Sequence, residues 1–514
     1  MFPSIRKLSS LLFAVIFWST ASADEKRPNI LFAISDDQSY PHTSAYGYPA
    51  VKTPAFDRVA ASGVLFQNAF APSPGCSPSR AAMLTGRYPW QIEHAGTHAS
   101  EFPRDYVVYP DLLEKAGYWI GFTGKGWSPG NYKISGRERN PAGPSFSSAK
   151  ADPPFAAMSK NDYAENFRQF LKKRPKGKPF YFWYGASEPH RGFEKGSGIK
   201  SGKKLEDAVP PPFLPDAPEV RSDLLDYCVE IEHFDNHLGQ MIDELEKAGE
   251  LENTIIIVTS DNGMAFPRAK ANLYEYGIHL PLAIAWPAKV PGGRSVDDIV
   301  NLIDVAPTVL DAAGVTFPED VPEMSARSLG NTLFSKESGR VDPTRNLTFS
   351  CRERHSSSRW NTLSYPQRCV RTDKFLYIRN FKPERWPAGA PLKLDKDGKP
   401  GPMHGGYHDI DACPTLTYLI EQRDDPKVSP LFHASVDHRP EEELYDIQKD
   451  PGCLKNLAGN PEHAPELRRL STMLRDYLQD SGDPRVADED GGEIFETYKR
   501  YSHIRQFPKP EWAK

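Results

Sequence analysis

An α/β layer architecture built on buried parallel strands follows from three features of this chain. Four short apolar runs each give way at once to polar or charged residues. Residues 30–35 lead into Asp36-Asp37, 119–123 into Gly124-Lys125, 180–186 into Glu188-Pro189-His190, and 255–260 into Asp261-Asn262. Continuous apolar runs suit strands covered on both faces, and the carboxyl ends of such strands are where an open sheet presents its chemistry. Helical signals separate the runs, which is the alternation expected of α/β layers. The third feature is the stretch 221–248, in which Leu224, Tyr227, Ile231, Phe234, Leu238, Met241, Ile242 and Leu245 recur at three and four residues as one core-facing stripe.

In chain order, the helical signals are 54–61 closed by Gly63, a helix entered near Cys76 and ended by Gly86, 111–116 closed by Gly117, and the long stripe. The segment 192–218, rich in Gly, Lys and Pro, reads as a long loop of the kind that forms binding walls. Beyond about residue 341 the pattern changes to isolated strands such as 375–378, Pro/Gly-rich loops and a final helix near 466–478. The resulting division is a leader at 1–23, a catalytic α/β domain at 24–345 and a smaller C-terminal α+β subdomain at 346–514.

A formal charge of −5 argues against a general nucleic-acid or acidic-membrane binder, so any grip on an anionic substrate must come from local clusters. Arg6 and Lys7, an apolar run over 11–18 and the small residues Ala21-Ser22-Ala23 read as a secretory signal. That run is short for a membrane span, so the mature protein is expected to be soluble and exported, to a periplasmic, secreted or lysosomal-type compartment. If Cys76 is modified, Cys228, Cys351, Cys369, Cys413 and Cys453 cannot all pair. Cys228 falls on the apolar stripe and reads as a core thiol, and the other four allow up to two bridges. No C-x-x-C spacing points to zinc.

Cys76-Ser77-Pro78-Ser79-Arg80 places a thiol beside an arginine where a turn enters a helix. Pro78 suits the first helical turn, Ser77 and Ser79 are able to cap free amides, and an anion there would meet unpaired N–H groups and the Arg80 fork. A thiol at such an entrance tends toward thiolate. Asp36, Asp37, Asp261 and Asn262 supply hard oxygen ligands from two strand ends, which suits calcium or, less readily, magnesium, although an Asp pair after a strand also suits a turn or helix cap.

The Cys76 stretch matches the C-x-P-x-R signature of the sulfatase family, and the chain resembles that family over almost its whole exported length. Within it the chain is similar to the N-sulfoglucosamine sulfohydrolases, the heparan N-sulfatases. That likeness rests on Ser77-Pro78-Ser79-Arg80, Pro189-His190-Arg191, Ser260-Asp261-Asn262-Gly263 with Phe266-Pro267, Asn272-Leu273-Tyr274, and Ser364-Tyr365-Pro366. The resemblance implies an alkaline-phosphatase-like fold with a central, mostly parallel sheet between helices. It implies that a maturation enzyme converts Cys76 to formylglycine (3-oxoalanine), and that one calcium ion is held by Asp36, Asp37, Asp261, Asn262 and residue 76. It makes Arg80, Lys125, Lys270 and His190 the groups that meet sulfate, with His190 as the acid toward the leaving atom. Hydrated formylglycine then attacks sulfur, and loss of a proton from its second hydroxyl expels sulfate and restores the aldehyde.

Two departures stand out. Trp127 occupies the place of the histidine in the family's G-K-x-H segment, leaving Asp37 as a substitute base, and His279 stands where many relatives carry arginine and reads as structural. Arg352, Arg354, His355, Arg359, Tyr365 and Arg368 form a basic-aromatic stretch that suits a wall for a sulfated or carboxylated sugar, or a solvated loop. The expected substrate is a sulfated glycan. The rival readings are an O-sulfatase of another polysaccharide, a phosphonate or phosphodiester hydrolase of the same superfamily, and a non-catalytic glycan-binding relative.

Overall fold

The computed structural model describes residues 26–513; the expected leader lies outside them. Seven strands form the main sheet: β1 (Asn29–Ser35), β2 (Val64–Phe70), β3 (Trp119–Gly124), β4 (Phe180–Gly185), β5 (Thr254–Ser260), β6 (His279–Ala285) and β7 (Arg294–Asn301), in spatial order β3-β4-β1-β5-β6-β2-β7. The four runs expected as parallel strands are β3, β4, β1 and β5, and they lie side by side and parallel. The other half of the sheet is mixed, since β6 runs antiparallel to both β5 and β2 while β2 and β7 are parallel.

Alternation along β1 explains the layering. Ile30, Phe32 and Ile34 join a core with residues of the helices Cys76–Thr85, Tyr109–Lys115 and Val305–Ala313, while Leu31 and Ala33 join one with the helices Pro54–Ser62, Tyr163–Lys173 and Pro218–Lys247. All eight members of the stripe on the long helix are buried. Two short helical turns, Ser197–Lys200 and Leu205–Asp207, interrupt the segment read as one long loop.

A second, antiparallel sheet follows, ordered β11-β10-β9-β8 from β8 (Leu347–Arg352), β9 (Gln367–Thr372), β10 (Phe375–Asn380) and β11 (Glu442–Asp446). The helix Ala464–Asp480 packs on it through Leu470, Leu474 and Leu478. Among the described residues, no helix is long and apolar enough to cross a membrane. None of the six cysteines is paired, so the two bridges allowed by the sequence do not form, and each thiol is buried by itself.

Candidate active site

Register places the ligand pairs abreast. Ser35 is opposite Ser260, so Asp36-Asp37 and Asp261-Asn262 leave the same sheet edge together. One row over, Gly124 faces Gly185, and Lys125 N–H donates to Gly185 O at 2.7 Å. A Cβ on Gly185 would lie 1.9 Å from the Lys125 carbonyl oxygen, so only glycine lets that lysine turn so close to β4. Asp37 takes a left-handed conformation (φ 72), which an Asp tolerates better than most residues, and its N–H donates to Asp261 Oδ1 at 3.1 Å.

The helix Cys76–Thr85 points its first residue at this edge. Gly75 is its N-cap and Gly86 ends it in the left-handed region (φ 67). The serines do not cap it, contrary to expectation. Ser77 Oγ accepts from Ala99 N–H at 3.0 Å and Ser79 Oγ donates to Asp261 O at 2.6 Å, so both pin the helix to neighbouring chain. Cys76 Sγ lies 3.8 Å from Asp37 Oδ1. The expected tendency toward thiolate is not met, because burial first, and then the Asp36 charge, hold the thiol well above its ordinary value against Lys125 and Lys270.

Cations interleave with the carboxylates. Arg80 Nε bonds Asp261 Oδ2 at 2.6 Å and Nη1 donates to Lys125 O at 2.7 Å. Lys125 Nζ reaches Asp36 Oδ2 at 2.5 Å, and Lys270 Nζ reaches Asp37 Oδ2 at 2.6 Å. Burial opposes ionisation of Asp36, yet Lys125, His190, Arg80 and Lys270 together hold it well below the usual carboxylate range. Burial pushes Asp261 the other way, upward, against Arg80. His190 Nε2 stands 3.9 Å from Asp37 Oδ2, on a half-exposed side chain at the mouth. All nine residues expected from the sequence therefore converge on one edge. The large cavity of about 840 Å³ lined by Lys26, Ile255, Trp286 and Phe334 opens beside the start of β5, at the opposite end of that strand from Asp261.

The donors fit a hard divalent cation. Carboxylate oxygens of Asp36, Asp37 and Asp261 lie within 4.8 Å of one another. Asp36 Oδ1 and Asn262 Oδ1 are buried acceptors without hydrogen-bond partners, a costly arrangement in an interior unless a cation takes them. Three cations already balance the three carboxylates. A divalent ion would make the cluster positive, as capture of a sulfuryl anion requires.

The family model for sulfatases matches residues 28–315, more than half of the chain, and that for the N-sulphoglucosamine sulphohydrolase C-terminal region matches 268–387. The chain belongs to the sulfatase family. It is an enzyme class that hydrolyses sulfate esters or sulfamates. The sulfatase is 28% identical over 484 residues to an ulvan-active sulfatase of Formosa agariphila, covering 89% of this chain and 76% of that one. It is 27% identical over 499 residues to the human N-sulphoglucosamine sulphohydrolase, covering 90% and 92%. Its fold matches BT4656, solved in complex with its substrate D-glucosamine-2-N,6-O-disulfate, with a TM-score of 0.65 at 21% identity over 90% of this chain and 100% of that one.

Several parts of this sulfatase's site differ from the sequence reading. Trp127 does not enter the pocket: its Nε1 donates to Ser77 O at 3.1 Å and its ring packs on Phe102, buttressing the Cys76 helix from behind. His279 is structural as expected, bonded to Gln67 O and Glu275 and stacked on Tyr40. The basic-aromatic wall is not a wall. Arg352 and Arg359 share Asp409, Arg368 is held by Asp483 and Glu353, Arg354 donates to Tyr498 O, and all four arginines and Tyr365 are buried. His355 does approach the site, where a Cβ on Gly75 would meet its Nδ1 at 3.0 Å, and its ring lies 4.5 Å from that of His98. Burial pushes His355 down to about 3, so it is neutral.

Sequence reasoning missed one residue altogether. Asp411 Oδ2 accepts from Lys270 Nζ at 3.0 Å, and its carboxylate, a His190 ring nitrogen and an Asp37 oxygen lie within 4.8 Å of one another. The available signal was an acidic run, His408-Asp409-Ile410-Asp411, just ahead of the helix start at Pro414.

Proposed function

We propose that this sulfatase releases sulfate from a sulfated glycan at a centre built on Cys76, and that N-sulfated glucosamine is the unit it acts on. The observation that carries the reading is the convergence of Cys76, two ligand pairs, three cations and His190 at one sheet edge. The extended similarity to the human N-sulphoglucosamine sulphohydrolase supports the choice of sugar.

Asp36, Asp37, Asp261 and Asn262 would hold calcium, which lowers the cost of gathering negative charge at the reacting centre. Residue 76, once oxidised by a formylglycine-generating enzyme, supplies an aldehyde hydrate as the nucleophile; the Cys76 sulfur marks the place of its oxygen. The remaining work falls to fixed side chains. Arg80 locks Asp261 against the helix, so the ligand set and the nucleophile share one rigid mount. Lys125, bonded to Asp36, and Lys270, bonded to Asp37 and Asp411, turn their remaining N–H groups to the sulfuryl oxygens, where preorganised charge is most effective. His190, half-exposed at the mouth, carries a proton to the departing atom. Export through the leader at 1–23 completes the proposal.

Sulfate release from a panel of defined N- and O-sulfated oligosaccharides, by protein whose Cys76 peptide shows oxidation, tests the reading. Release from N-sulfated glucosamine supports it, and hydrolysis of aryl phosphodiesters alone defeats it. The similarity to an ulvan-active sulfatase favours a second reading, an O-sulfatase of another polysaccharide, which the same panel separates.

A further inference from the structure

We propose that Asp411 is a specificity-determining residue: its carboxylate accepts a hydrogen bond from the N–H of an N-sulfated glucosamine, and so favours a sulfamate over a sulfate ester. The inference rests on the reading of the site as a glycan sulfatase and names how it would tell its substrates apart.

Asp411 belongs to the C-terminal part of the chain, and its oxygen sits 3.0 Å from Lys270 Nζ and within 4.8 Å of His190 and Asp37. Its side chain is 30% exposed where Lys270 and Asp37 are 4% and 0%, so it faces the mouth that a substrate enters. The Lys270 ammonium bridges it to Asp37, which holds the carboxylate in place beside the cation-binding edge. A carboxylate here would repel the equatorial sulfuryl oxygens. It therefore faces the side of the substrate that donates hydrogen bonds, and His190 marks that side as the one where the leaving atom departs.

The geometry is built rather than incidental. Asp223 of the long helix, 2% exposed, accepts from Nη1 and Nη2 of Arg191 and from Thr415 Oγ1 at 2.6 Å. One buried carboxylate thus anchors the residue after His190 and the helix that begins three residues after Asp411. Arg191 Nε further ties the His190 turn to Ala265 O at 2.8 Å.

The chemistry separates two leaving atoms. A sulfamate nitrogen carries one hydrogen before reaction. When the S–N bond breaks, its electron pair stays on nitrogen, the sulfuryl group passes to the nucleophile at residue 76, and nitrogen takes the proton that His190 brings. The amine formed keeps two N–H donors and, on protonation from solvent, becomes an ammonium that Asp411 pairs with. A sulfate ester oxygen has no hydrogen until after cleavage, and presents only lone pairs to the carboxylate. A site built to bond an N–H rejects the analogue that lacks it, because the site's own polar group is left unpaired.

The test compares Asp411→Ala, which removes the acceptor, with wild type, both matured, on N-sulfated glucosamine and on 4-nitrophenyl sulfate, with equilibrium binding of glucosamine and of glucose measured beside them. The ratio of kcat/KM for N-sulfated glucosamine to that for the aryl sulfate is expected to fall at least about tenfold in the variant. The preference for glucosamine over glucose is expected to vanish with it. An unchanged ratio together with an unchanged glucosamine preference overturns the inference, since a merely structural role would lower both activities alike. Wild-type release from O-sulfated sugars alone also overturns it while leaving the sulfatase reading intact. Absence of release from every sulfated glycan defeats that reading itself.

Discussion

Two buried, charge-rich regions sit a few residues apart in space yet differ in what they leave open. At the carboxyl edge of β1 and β5 the residual unpartnered groups include acceptors, Asp36 Oδ1 and Asn262 Oδ1, set among carboxylates from two strands. Around the second sheet the arginines are instead paired with carboxylates from distant sequence, Arg368 with Asp483 and Glu353, Arg352 and Arg359 with Asp409, and the unpartnered groups there include donors such as Arg352 Nη1 and Arg354 Nη2. A cluster of charge in a sequence window is therefore not by itself a site. What decides is whether the complement comes from the chain or is left for a ligand.

The largest expected effect falls at the first region. Cys76→Ala should lower turnover by about 10⁴-fold or more while leaving the unfolding midpoint near wild type, because it removes the nucleophile itself. Chelation of divalent ions should cost about a hundredfold or more in activity and be reversed by calcium, with a matching fall and recovery of the melting temperature. The same treatment leaves the second region untouched.

Asp483→Ala inverts the pattern. Removing Asp483 leaves the buried Arg368 with Glu353 as its remaining carboxylate and two N–H groups unpaired, and should cost about 3 kcal/mol of stability in denaturant unfolding, with kcat/KM of the folded enzyme unchanged. Equal damage to activity would erase the distinction between the two regions.

Per pH unit, the smallest effect is a pH dependence outside both clusters and at their border. Burial holds His42 down to about 4 and His355 down to about 3. Between those values and about 6.5 the unfolded chain binds protons that these folded imidazoles refuse, so stability should fall as pH falls, by about 1.4 kcal/mol per unit for each residue. Unfolding midpoints from pH 7 to pH 4 check the slope, and a His42→Gln variant that keeps the wild-type slope would remove its source.

Four of the seven strands of the main sheet, and the residues that meet at its edge, were legible because parallel buried strands announce themselves as unbroken apolar runs that stop at charge. β1, β3, β4 and β5 do this, and they carry Asp36, Asp37, Lys125, His190, Asp261 and Asn262 at or just past their ends. β2 and β7 do not, since β2 has only a partly buried face with an irregular register and β7 begins Arg294-Ser295-Val296-Asp297. Asp411 was hidden for a different reason: it is brought to Lys270 by the long-range anchor at Asp223 and Thr415, and no local pattern encodes a contact across 141 residues. Trp127 shows the converse, a residue in a chemistry-bearing motif whose indole is spent on packing.

The most direct test of the central claim is sulfate release from N-sulfated glucosamine by matured protein, read beside the mass of the Cys76 peptide. The account expects release only from molecules whose peptide is about 18 Da lighter than the unmodified thiol, the change from thiol to aldehyde at a reactive cysteine. Undiminished release by protein in which Cys76 remains a thiol, or has been replaced by alanine, would contradict it.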